Sequence, residues 1–581
     1  MKRELILLAI VLVVGFAARL FALSQAAVEH FDEGVYASNL YFGPPDYAYP
    51  QRHLYAPPLL PASIEAGMIA GLPPNLAALL PSFLTGCGTI VALWWFGRSW
   101  FAPRVGLAAA ALCALSDFHI AYSAAALTDV LLGLWLLLAV DAIGRSLLKT
   151  DYRWAIGAGV YCGLAWWTKY NGWLPLAIEA AALPIAWLLL RPSSKQLAGW
   201  LGCWAVTALV AAAILSPFLL SLQASGGYGP IAANHAKYVV GLAGWVNSLS
   251  RQIASQHILE SGLSPFAMGV SLVVADMLFS LRAERGLLPV SRRTTTLVIG
   301  TLVLGSIVLA AIGTSFLVLT AAAAVGLSIR TILLARSQPQ DDEARRAIFG
   351  VSLVAAWWLG LLVATPCYWP YPRLVAPWLL ASWLGAALCW DQVLRAWADP
   401  RRADALRTGV RQRLVLLGGV WLAMIVAAII GWTQRPPAET ISPWTDRQGL
   451  QRVAVGIQKE LGPESRAVYI YGEPALFFQL SAAGEVATAP VQSIPQEPTR
   501  QGTRVVPTYL AIGPHAWVDS AFRRDWAARQ LDWKLVGSYS LRLSPLVSLD
   551  LYDPRSQAFA ADAQGSTVRL YRLLGSVPPR E

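Results

Sequence analysis

The sequence predicts a polytopic α-helical membrane protein with a soluble α/β domain after its last membrane span. Three observations support this fold class. Hydrophobic residues make up 56% of the 581 residues. Charged residues make up 14%, whereas a soluble globular protein has about 25%. Apolar runs long enough to cross a bilayer recur along residues 1–432, and the remaining residues have a mixed, polar composition. These proportions exclude disordered chains and small disulfide scaffolds.

Thirteen membrane spans are predicted, because about 30 Å of hydrocarbon requires roughly 20 apolar residues at 1.5 Å per residue. The first run, from about Leu5 to Leu23, is longer than a typical signal-peptide core and is followed by further spans, so it is interpreted as an uncleaved helix. The pair within 295–334 is separated only by Gly-Thr-Ser, and one kinked helix with a re-entrant piece is the alternative. The other spans are predicted at about 76–97, 104–123, 126–147, 154–168, 171–190, 198–221, 264–281, 295–313, 315–334, 347–365, 373–391 and 413–432.

The basic residues indicate the orientation of these spans. Loops rich in Lys and Arg alternate with loops that have almost none, and the two sets hold 23 and 6 basic residues. The positive-inside rule therefore predicts a cytoplasmic N-terminus and an extracytoplasmic C-terminal domain, in the cytoplasmic (inner) membrane. The net charge of +11 is then an orientation signal and an attraction to membrane lipids, and a nucleic-acid partner is excluded.

The last 149 residues, 433–581, contain 16 basic and 14 acidic residues and read as an α/β domain. They show no nucleotide-binding motif and no cluster of metal ligands. The predicted division is therefore a membrane domain over 1–432, with outer loops at about 24–75 and 222–263, and an outer domain over 433–581. A helix is predicted at about 447–461, and strands at Ala467–Tyr471, Thr508–Ile512, Leu535–Tyr539, Val547–Tyr552 and Val568–Leu573.

The first outer loop carries the first candidate residues. Asp32 and Glu33 follow the first span closely, and His53 and Tyr55 lie in a later stretch rich in tyrosine and proline. The apolar segment 59–71 is too short to span and is predicted to lie at the membrane surface. An isolated Asp-Glu pair is usually a solvated loop feature. Here the aromatic surroundings favour a substrate groove, because aromatic faces suit the apolar C–H edges of sugars.

Further candidates lie at the outer ends of the spans. Asp117, His119 and Tyr122 lie near the outer end of the third span, and Asp129 lies at the outer mouth of the fourth. Ionisable residues at membrane depth are costly and indicate function. Asp117, His119 and Tyr122 are therefore predicted to line the substrate groove.

Two of the six basic residues on the side that is poor in them are further candidates. Lys169 lies between the fifth and sixth spans, and Arg373 at the start of the twelfth. Snorkelling at the interface is the alternative for each of them. The outer loop at 222–263, with His235 and Tyr238, either covers the site or is a connector. A divalent metal is possible, but these histidines are too isolated to decide whether one is bound.

Outward carboxylates, outward cations and a membrane groove together suit a sugar donor linked to a lipid phosphate. The cations would bind the leaving phosphate, and a carboxylate would take the proton of the acceptor hydroxyl. An Asp-x-Asp motif, which is common in nucleotide-sugar enzymes, is missing from the sequence.

Five short motifs in order resemble the GT-C glycosyltransferases, in particular the protein O-mannosyltransferases and the transferases that add aminoarabinose or galacturonic acid to lipid A. The resemblance covers about residues 1–400. The motifs are Asp32-Glu33, Tyr55-Ala56-Pro57-Pro58, Leu127-Thr128-Asp129, Lys169-Tyr170-Asn171-Gly172 and Pro372-Arg373-Leu374-Val375-Ala376-Pro377.

The resemblance implies a GT-C fold and an inverting sugar transfer from a polyprenyl-phosphate donor to a lipid, glycan or protein acceptor. It also implies roles for individual residues. Asp32 corresponds to the proposed catalytic acidic residue of the first loop, Glu33 to its partner and Asp129 to a second acidic site. Lys169 and Arg373 fall where the donor phosphate is held.

Two other functions are compatible with outward charges and a groove. A transporter or flippase of lipid-linked sugars usually places its charges at the bilayer midplane between internal repeats, and no repeat is visible here. A non-catalytic assembly subunit would tolerate neutralisation of all five motif residues.

Overall fold

The computed structural model describes most of the chain, and the predicted spans at about 295–313 and 413–432 lie outside the described residues. Two compact units are formed. The helical unit comprises Met1–Leu20, Leu84–Ser123 and Thr128–Pro443, and the α/β unit comprises Phe21–Phe83, Ala124–Leu127 and Trp444–Glu581. The described ranges are 2–41, 52–283, 315–336, 341–398, 446–461, 467–483, 487–491, 493–501, 504–541, 544, 546–547 and 567–574.

Sixteen helices are described between residues 2 and 398. In chain order they are α1 (Lys2–Ser24), α2 (Phe31–Ala37), α3 (Leu59–Ile69), α4 (Pro74–Trp100), α5 (Pro103–Ala114), α6 (Asp117–Ser123), α7 (Thr128–Lys149), α8 (Tyr152–Thr168), α9 (Leu174–Leu190), α10 (Ser194–Leu222), α11 (Gly229–Ala236), α12 (Trp245–Leu259), α13 (Ser264–Ala283), α14 (Ser315–Arg336), α15 (Asp342–Ala364) and α16 (Ala376–Ala398).

The predicted spans coincide with helices wherever the chain is described. The predicted span at 104–123 is broken, since α5 and α6 meet at a bend of 65°. Within the described ranges, seven helices are long and apolar enough to cross a membrane, or nine if each of two bent helix pairs is one span. The chain is thus a multi-pass membrane protein. The total of thirteen spans stays a prediction.

Small residues allow close helix packing in the helical unit. Gly159 and Gly163 lie one turn apart on α8, and a Cβ atom on either would lie 2.6–2.7 Å from the Cβ atoms of Val210 and Ile214 on α10. Spacing of two small residues by four positions is typical of helix pairs in membranes. The sequence therefore sets the close approach of α8 and α10.

One end of the helical unit is held together by ion pairs and polar contacts. Glu4 on α1 pairs with Arg98 on α4 at 2.8 Å. The indole nitrogen of Trp100, also on α4, donates to Asp141 on α7 at 2.7 Å. Arg104 on α5 pairs with Asp391 on α16. These helix ends all belong to the predicted basic side, so the structure brings together the ends that the alternation of charge assigns to one face.

The C-terminal part of the α/β unit is an α/β sheet domain, as predicted. Its elements are α17 (Gly449–Leu461), β1 (Ala467–Tyr471), α18 (Pro474–Ala483), β2 (Ala487–Val491), β3 (Arg500–Gln501), β4 (Arg504–Val505), β5 (Thr508–Ile512), α19 (Pro514–Val518), α20 (Ser520–Arg529), β6 (Trp533–Ser540) and β7 (Thr567–Leu573). The sheet has the strand order β2-β1-β5-β7-β6. β2, β1 and β5 are parallel, and β7 pairs antiparallel with β5 and β6.

Four of the five strand predictions in this domain are confirmed, and so is its first helix. The strand predicted at Val547–Tyr552 is not confirmed, because Leu546 and Val547 are helical and the rest of that range lies outside the described residues. The sheet forms because one of its faces is covered by aromatic side chains. This core includes Tyr471, Leu510, Phe522, Trp526 and Tyr571.

The α/β unit also includes the first outer loop, which the sequence assigns to the membrane domain. Helix α2 lies against the start of α18, and a Cβ atom on Gly34 would lie 2.1 Å from the backbone nitrogen of Ala475. The side chain of Gln479 on α18 donates to the carbonyl of Val28 at 2.9 Å. The loop that carries Asp32 is therefore fixed by the C-terminal residues of the chain.

Gly34→Ala is expected to displace α2 from α18, since the added methyl group overlaps the backbone of Ala475. Overpacking of this kind costs about 1–3 kcal/mol of folding stability. Limited proteolysis at residues 25–40 measures the effect as faster cleavage. Gly360→Ala on α15 is the matched control, because nothing lies within 4 Å of its added Cβ. Equal cleavage of both variants would contradict the packing role of Gly34.

Candidate active site

A buried ion pair joins α7 and α8 in the helical unit. The Nζ atom of Lys169 lies 2.6 Å from Oδ1 of Asp129. Asp129 is 1% exposed, and its Oδ2 atom has no hydrogen-bond partner among the described residues. Lys169 is the C-cap of α8 in extended conformation, and its side chain is 19% exposed. The pair therefore holds the ammonium group in one place, and the Lys169 side chain stays partly exposed.

A group of five tyrosines and His235, which we call the tyrosine cluster, extends from Lys169 to Arg373. Tyr170 follows Lys169, and its ring packs edge-on against the ring of His235, at 5.5 Å between centroids. Nδ1 of His235 lies 3.0 Å from the hydroxyl of Tyr368. The guanidinium of Arg373 lies 5.3 Å from the ring centre of Tyr371. The cluster comprises Tyr170, Tyr228, His235, Tyr238, Tyr368 and Tyr371.

The predicted outer loop at 222–263 supports this cluster. It forms α11 and α12 instead of an irregular connector. The backbone nitrogen of Trp369 donates to the carbonyl of Tyr238 at 2.8 Å. Ser248 on α12 donates to the carbonyl of Tyr368 at 2.8 Å, and Gln256 to that of Pro372 at 3.0 Å. The segment before α16, which carries Arg373, is thus held in place by α12.

Three predicted groove residues on α6 are buried in the helical unit. The carboxylate of Asp117 accepts hydrogen bonds from the backbone nitrogens of residues 262, 263 and 264 at 2.7–3.0 Å, just before α13. His119 is 3% exposed, and its Nδ1 lies 2.7 Å from Nη2 of Arg19. Because a guanidinium only donates, this nitrogen is the acceptor. The ring of Tyr122 packs on Phe118 at 4.4 Å. These contacts join helices to one another.

In the α/β unit, Asp32 and Glu33 belong to the first turn of α2 but differ in their surroundings. His30 caps the helix, since its Nδ1 accepts from the backbone nitrogen of Asp32 at 3.0 Å. Glu33 accepts in return from the backbone nitrogen of His30 at 2.8 Å. This reciprocal pattern is a capping box, which specifies the start of a helix. The side chain of Asp32 is half-buried, whereas Glu33 is fully buried.

Arg447 fixes Glu33 from the far end of the sequence. Its Nη2 atom lies 2.6 Å from Oε2 of Glu33, and its Nε atom lies 3.7 Å from Oε2 of Glu29. Its Nη1 atom donates to the carbonyl of Ala124 at 2.7 Å. The other oxygen of Glu33 accepts from the backbone nitrogen of Ala126 at 2.8 Å. Glu33 is therefore occupied on both oxygens as a structural anchor next to Asp32.

The pKa values of the two carboxyl groups near Arg447 are shifted in opposite directions. Burial alone would raise the pKa of Glu33, but Arg447 and the backbone N–H groups of His30 and Glu29 outweigh burial and hold that pKa below its usual value. Burial dominates at Glu29 and raises its pKa, although Arg447 opposes the shift. Arg447 therefore favours ionisation of Glu33 over ionisation of Glu29.

His53 and Tyr55 also belong to the α/β unit and are both half-buried. The ring of Tyr55 lies 5.9 Å from the ring of Phe31, the residue before Asp32. Tyr55 therefore lies beside α2, while His53 lies in a short 3-10 helix at Arg52–Leu54.

No sequence pattern indicates Arg447, which lies at the start of a predicted helix, where a solvated charge is the usual interpretation. None indicates Glu29 either, which is buried and faces the same arginine. In the part of the chain that the structure describes, no three His, Cys, Asp or Glu residues are placed to hold a metal ion. A divalent metal stays an open prediction.

Comparisons with known proteins agree with this architecture. Residues 56–220 match the family described as dolichyl-phosphate-mannose-protein mannosyltransferase. No curated protein sequence matches the chain significantly. The structure is similar to ArnT from Cupriavidus metallidurans bound to undecaprenyl phosphate, with 14% sequence identity, a TM-score of 0.51 and coverage of 99% of both chains.

Two weaker structural similarities are found. The Archaeoglobus fulgidus oligosaccharyltransferase in its apo form has 15% identity and a TM-score of 0.47, over 83% of this chain and 64% of that one. The Saccharomyces cerevisiae Pmt1-Pmt2 complex bound to the sugar donor has 20% identity and a TM-score of 0.31, over 38% and 34% of the two chains.

Proposed function

Since the chain has the GT-C glycosyltransferase fold, we propose that it transfers a sugar from a polyprenyl-phosphate donor to an acceptor hydroxyl, with inversion. The observation that carries the proposal is the arrangement at one end of the helical unit. There the Asp129–Lys169 pair and Arg373 bracket the tyrosine cluster. Two cations with aromatic surfaces between them suit a phosphate that carries a sugar.

Lys169 and Arg373 act on the leaving phosphate in this proposal. Asp129 pairs with the Lys169 ammonium in the buried site, and three ammonium hydrogens allow a second partner beside Asp129. Arg373 offers a planar fork of donors that fits phosphate oxygens. Negative charge develops on the phosphate in the transition state, so both cations would stabilise the transition state more than the ground state. This difference in stabilisation accelerates transfer.

Asp32 acts as the general base. The oxygen of the acceptor hydroxyl forms a bond to the anomeric carbon of the sugar while the bond from that carbon to the phosphate oxygen breaks. The hydroxyl proton passes to the Asp32 carboxylate, and the polyprenyl phosphate leaves with the electron pair. Glu33 does not take part in this proton transfer, because both of its oxygens already accept hydrogen bonds.

We further propose that transfer occurs at the outer face of the cytoplasmic membrane, with a cytoplasmic N-terminus and an extracytoplasmic α/β unit. The 23-to-6 distribution of basic residues supports this orientation. The undecaprenyl phosphate bound to ArnT supports a polyprenyl carrier. A lipid, a glycan or a protein is the acceptor.

Purified full-length protein, reconstituted in liposomes, tests the proposal directly. Radiolabelled polyprenyl-phosphate sugars are added with a crude envelope fraction as acceptor. Transfer predicts label in the acceptor and an equal amount of free polyprenyl phosphate. Movement of intact labelled donor across the bilayer without release of polyprenyl phosphate would instead indicate a flippase and refute the proposal.

Lys169→Met is expected to raise the apparent KM for the donor at least tenfold, because the phosphate loses one of its cations. The single variant also leaves Asp129 buried without its counter-ion, which destabilises the fold. The double variant Lys169→Met with Asp129→Asn removes that second effect. We expect the double variant to unfold close to the wild-type temperature, while its apparent KM for the donor stays as high as that of the single variant.

Arg251→Gln on α12 is the control for this series, since Arg251 is a cation assigned to the same face that contacts Asn247 on its own helix. Its donor KM is expected to equal that of the wild type. A wild-type donor KM in the double variant would exclude Lys169 from phosphate binding.

A further inference from the structure

A carboxylate and a histidine meet at one edge of the sheet in the α/β unit, and the proposed reaction leaves them unused. β1 and β5 are adjacent and parallel, with Tyr471 in register with Ile512, so their carboxyl ends meet at this edge. Glu473 follows β1, and His515 follows β5. In open α/β sheets, ligands bind outside the carboxyl ends of the strands.

Glu473 fixes the orientation of His515. It is 2% exposed, and its two carboxylate oxygens accept from the backbone nitrogen of His515 at 2.5 Å and from Nδ1 at 2.9 Å. A side chain at Gly513 would not leave room for this contact, because a Cβ atom there would lie 2.6 Å from the Glu473 carboxyl carbon. Because Nδ1 donates a hydrogen bond to a carboxylate, the neutral imidazole carries its proton on Nδ1, and Nε2 points away from Glu473.

The aromatic residues beside Asp32 lie against this histidine. The ring of Phe31 is 5.4 Å from the imidazole of His515, and the ring of Tyr55 is 5.9 Å from the ring of Phe31. All three rings are half-buried. The three rings therefore form a contiguous cluster, and its central ring, Phe31, precedes the proposed base in α2.

We propose that Phe31, Tyr55 and His515 bind a sugar ring of the acceptor, so that the acceptor is a carbohydrate. The term acceptor rests on the proposed function, but carbohydrate binding itself does not. Ring faces pack against the C–H faces of a pyranose, and an oriented imidazole exchanges hydrogen bonds with its hydroxyls. The C-terminal domain thereby contributes His515 to substrate binding, with Glu473 as the positioning residue.

Saturation-transfer NMR on the detergent-solubilised full chain, without donor, tests the proposal. Chitotriose, mannotriose and β-linked galactotriose serve as probes. The wild type is expected to transfer saturation to at least one of them. Phe31→Leu and His515→Gln are each expected to weaken that binding at least tenfold. His515→Gln keeps a donor for Glu473, so the carboxylate does not lose its partner.

Tyr539→Leu is the matched control, because Tyr539 is also a half-buried aromatic residue of this domain. It lies on β6, an edge strand that is separated from β5 by β7. Its binding should equal that of the wild type, and unfolding temperatures confirm that each variant is folded. Wild-type binding in both test variants, or no binding of any probe by the wild type, would overturn the proposal. Oligosaccharide binding without sugar transfer would instead refute the proposed function and leave this inference standing.

Discussion

Asp32→Asn is expected to lower sugar transfer by a factor of about 10²–10⁴, the usual contribution of a positioned general base. Asparagine has nearly the same shape but cannot take the proton of the acceptor hydroxyl. The cap at His30 should persist, because residue 32 contributes its backbone nitrogen, and not its side chain, to that cap. The loss should therefore fall on kcat, while the apparent KM for the donor stays near the wild-type value.

Glu33→Gln is the matched comparison for Asp32→Asn. The two residues are adjacent, and both changes remove one negative charge. The amide oxygen of glutamine can still accept from the backbone nitrogens of Glu29 and His30. We expect Glu33→Gln to lower stability and to keep most of the turnover per folded molecule. The role of Asp32 is refuted if Asp32→Asn turns over at the wild-type rate or if the two variants lose kcat equally.

The membrane spans were predictable because each depends on a local property, the length of an apolar run. A run such as the first one reads the same in any context, and it folds as α1. The bend between α5 and α6 was not predictable from its own stretch of sequence. Asp117 and His119, two polar residues of this apolar stretch, have partners elsewhere in the chain. Their partners, the turn before α13 and Arg19, are distant in sequence.

The same reasoning explains the candidate site. Lys169 was predictable because its charge is unusual on its side of the membrane, and its partner Asp129 was predicted for its depth. Asp32 and Glu33 could not be distinguished from each other, since two neighbouring carboxylates look alike until their partners are known. The residue that distinguishes them, Arg447, lies 414 positions after Glu33.

The C-terminal domain holds the segment around Asp32 in place. A sequence without motifs after residue 433 predicts a separate outer module. The buried contacts of Arg447, Gln479 and His515 instead fix the segment on either side of Asp32. A short loop in a membrane protein gains a rigid geometry in this way, which is what a positioned base requires. Catalysis is therefore expected to depend on residues that are distant from the base in sequence.

Arg447→Met should accordingly cause the largest loss of stability in the α/β unit. Removing one partner of a buried ion pair costs about 3–5 kcal/mol, because the remaining charge stays buried. For a unit of this size the unfolding temperature should fall by roughly 6–20 °C. Fluorescence-detected unfolding in detergent measures this shift.

The loss should depend on pH in a defined direction. In the wild type, the lowered pKa of Glu33 contributes stability above its unfolded value, near pH 4.5, that is lost as the pH falls through the folded value. Without Arg447, burial raises the pKa of both Glu33 and Glu29. The folded variant then favours the protonated acids. Its folding stability therefore falls further as the pH rises above the unfolded pKa of the glutamates, near 4.5.

We therefore expect a larger difference from the wild type at pH 7 than at pH 5. The double variant Arg447→Met with Glu33→Gln should recover part of the loss at pH 7, because it removes one buried charge. Arg452→Met is the control, since Arg452 forms an exposed pair with Asp446 in the same unit. A pH-independent loss, or no recovery in the double variant, would show that packing and not charge pairing holds the Asp32 loop.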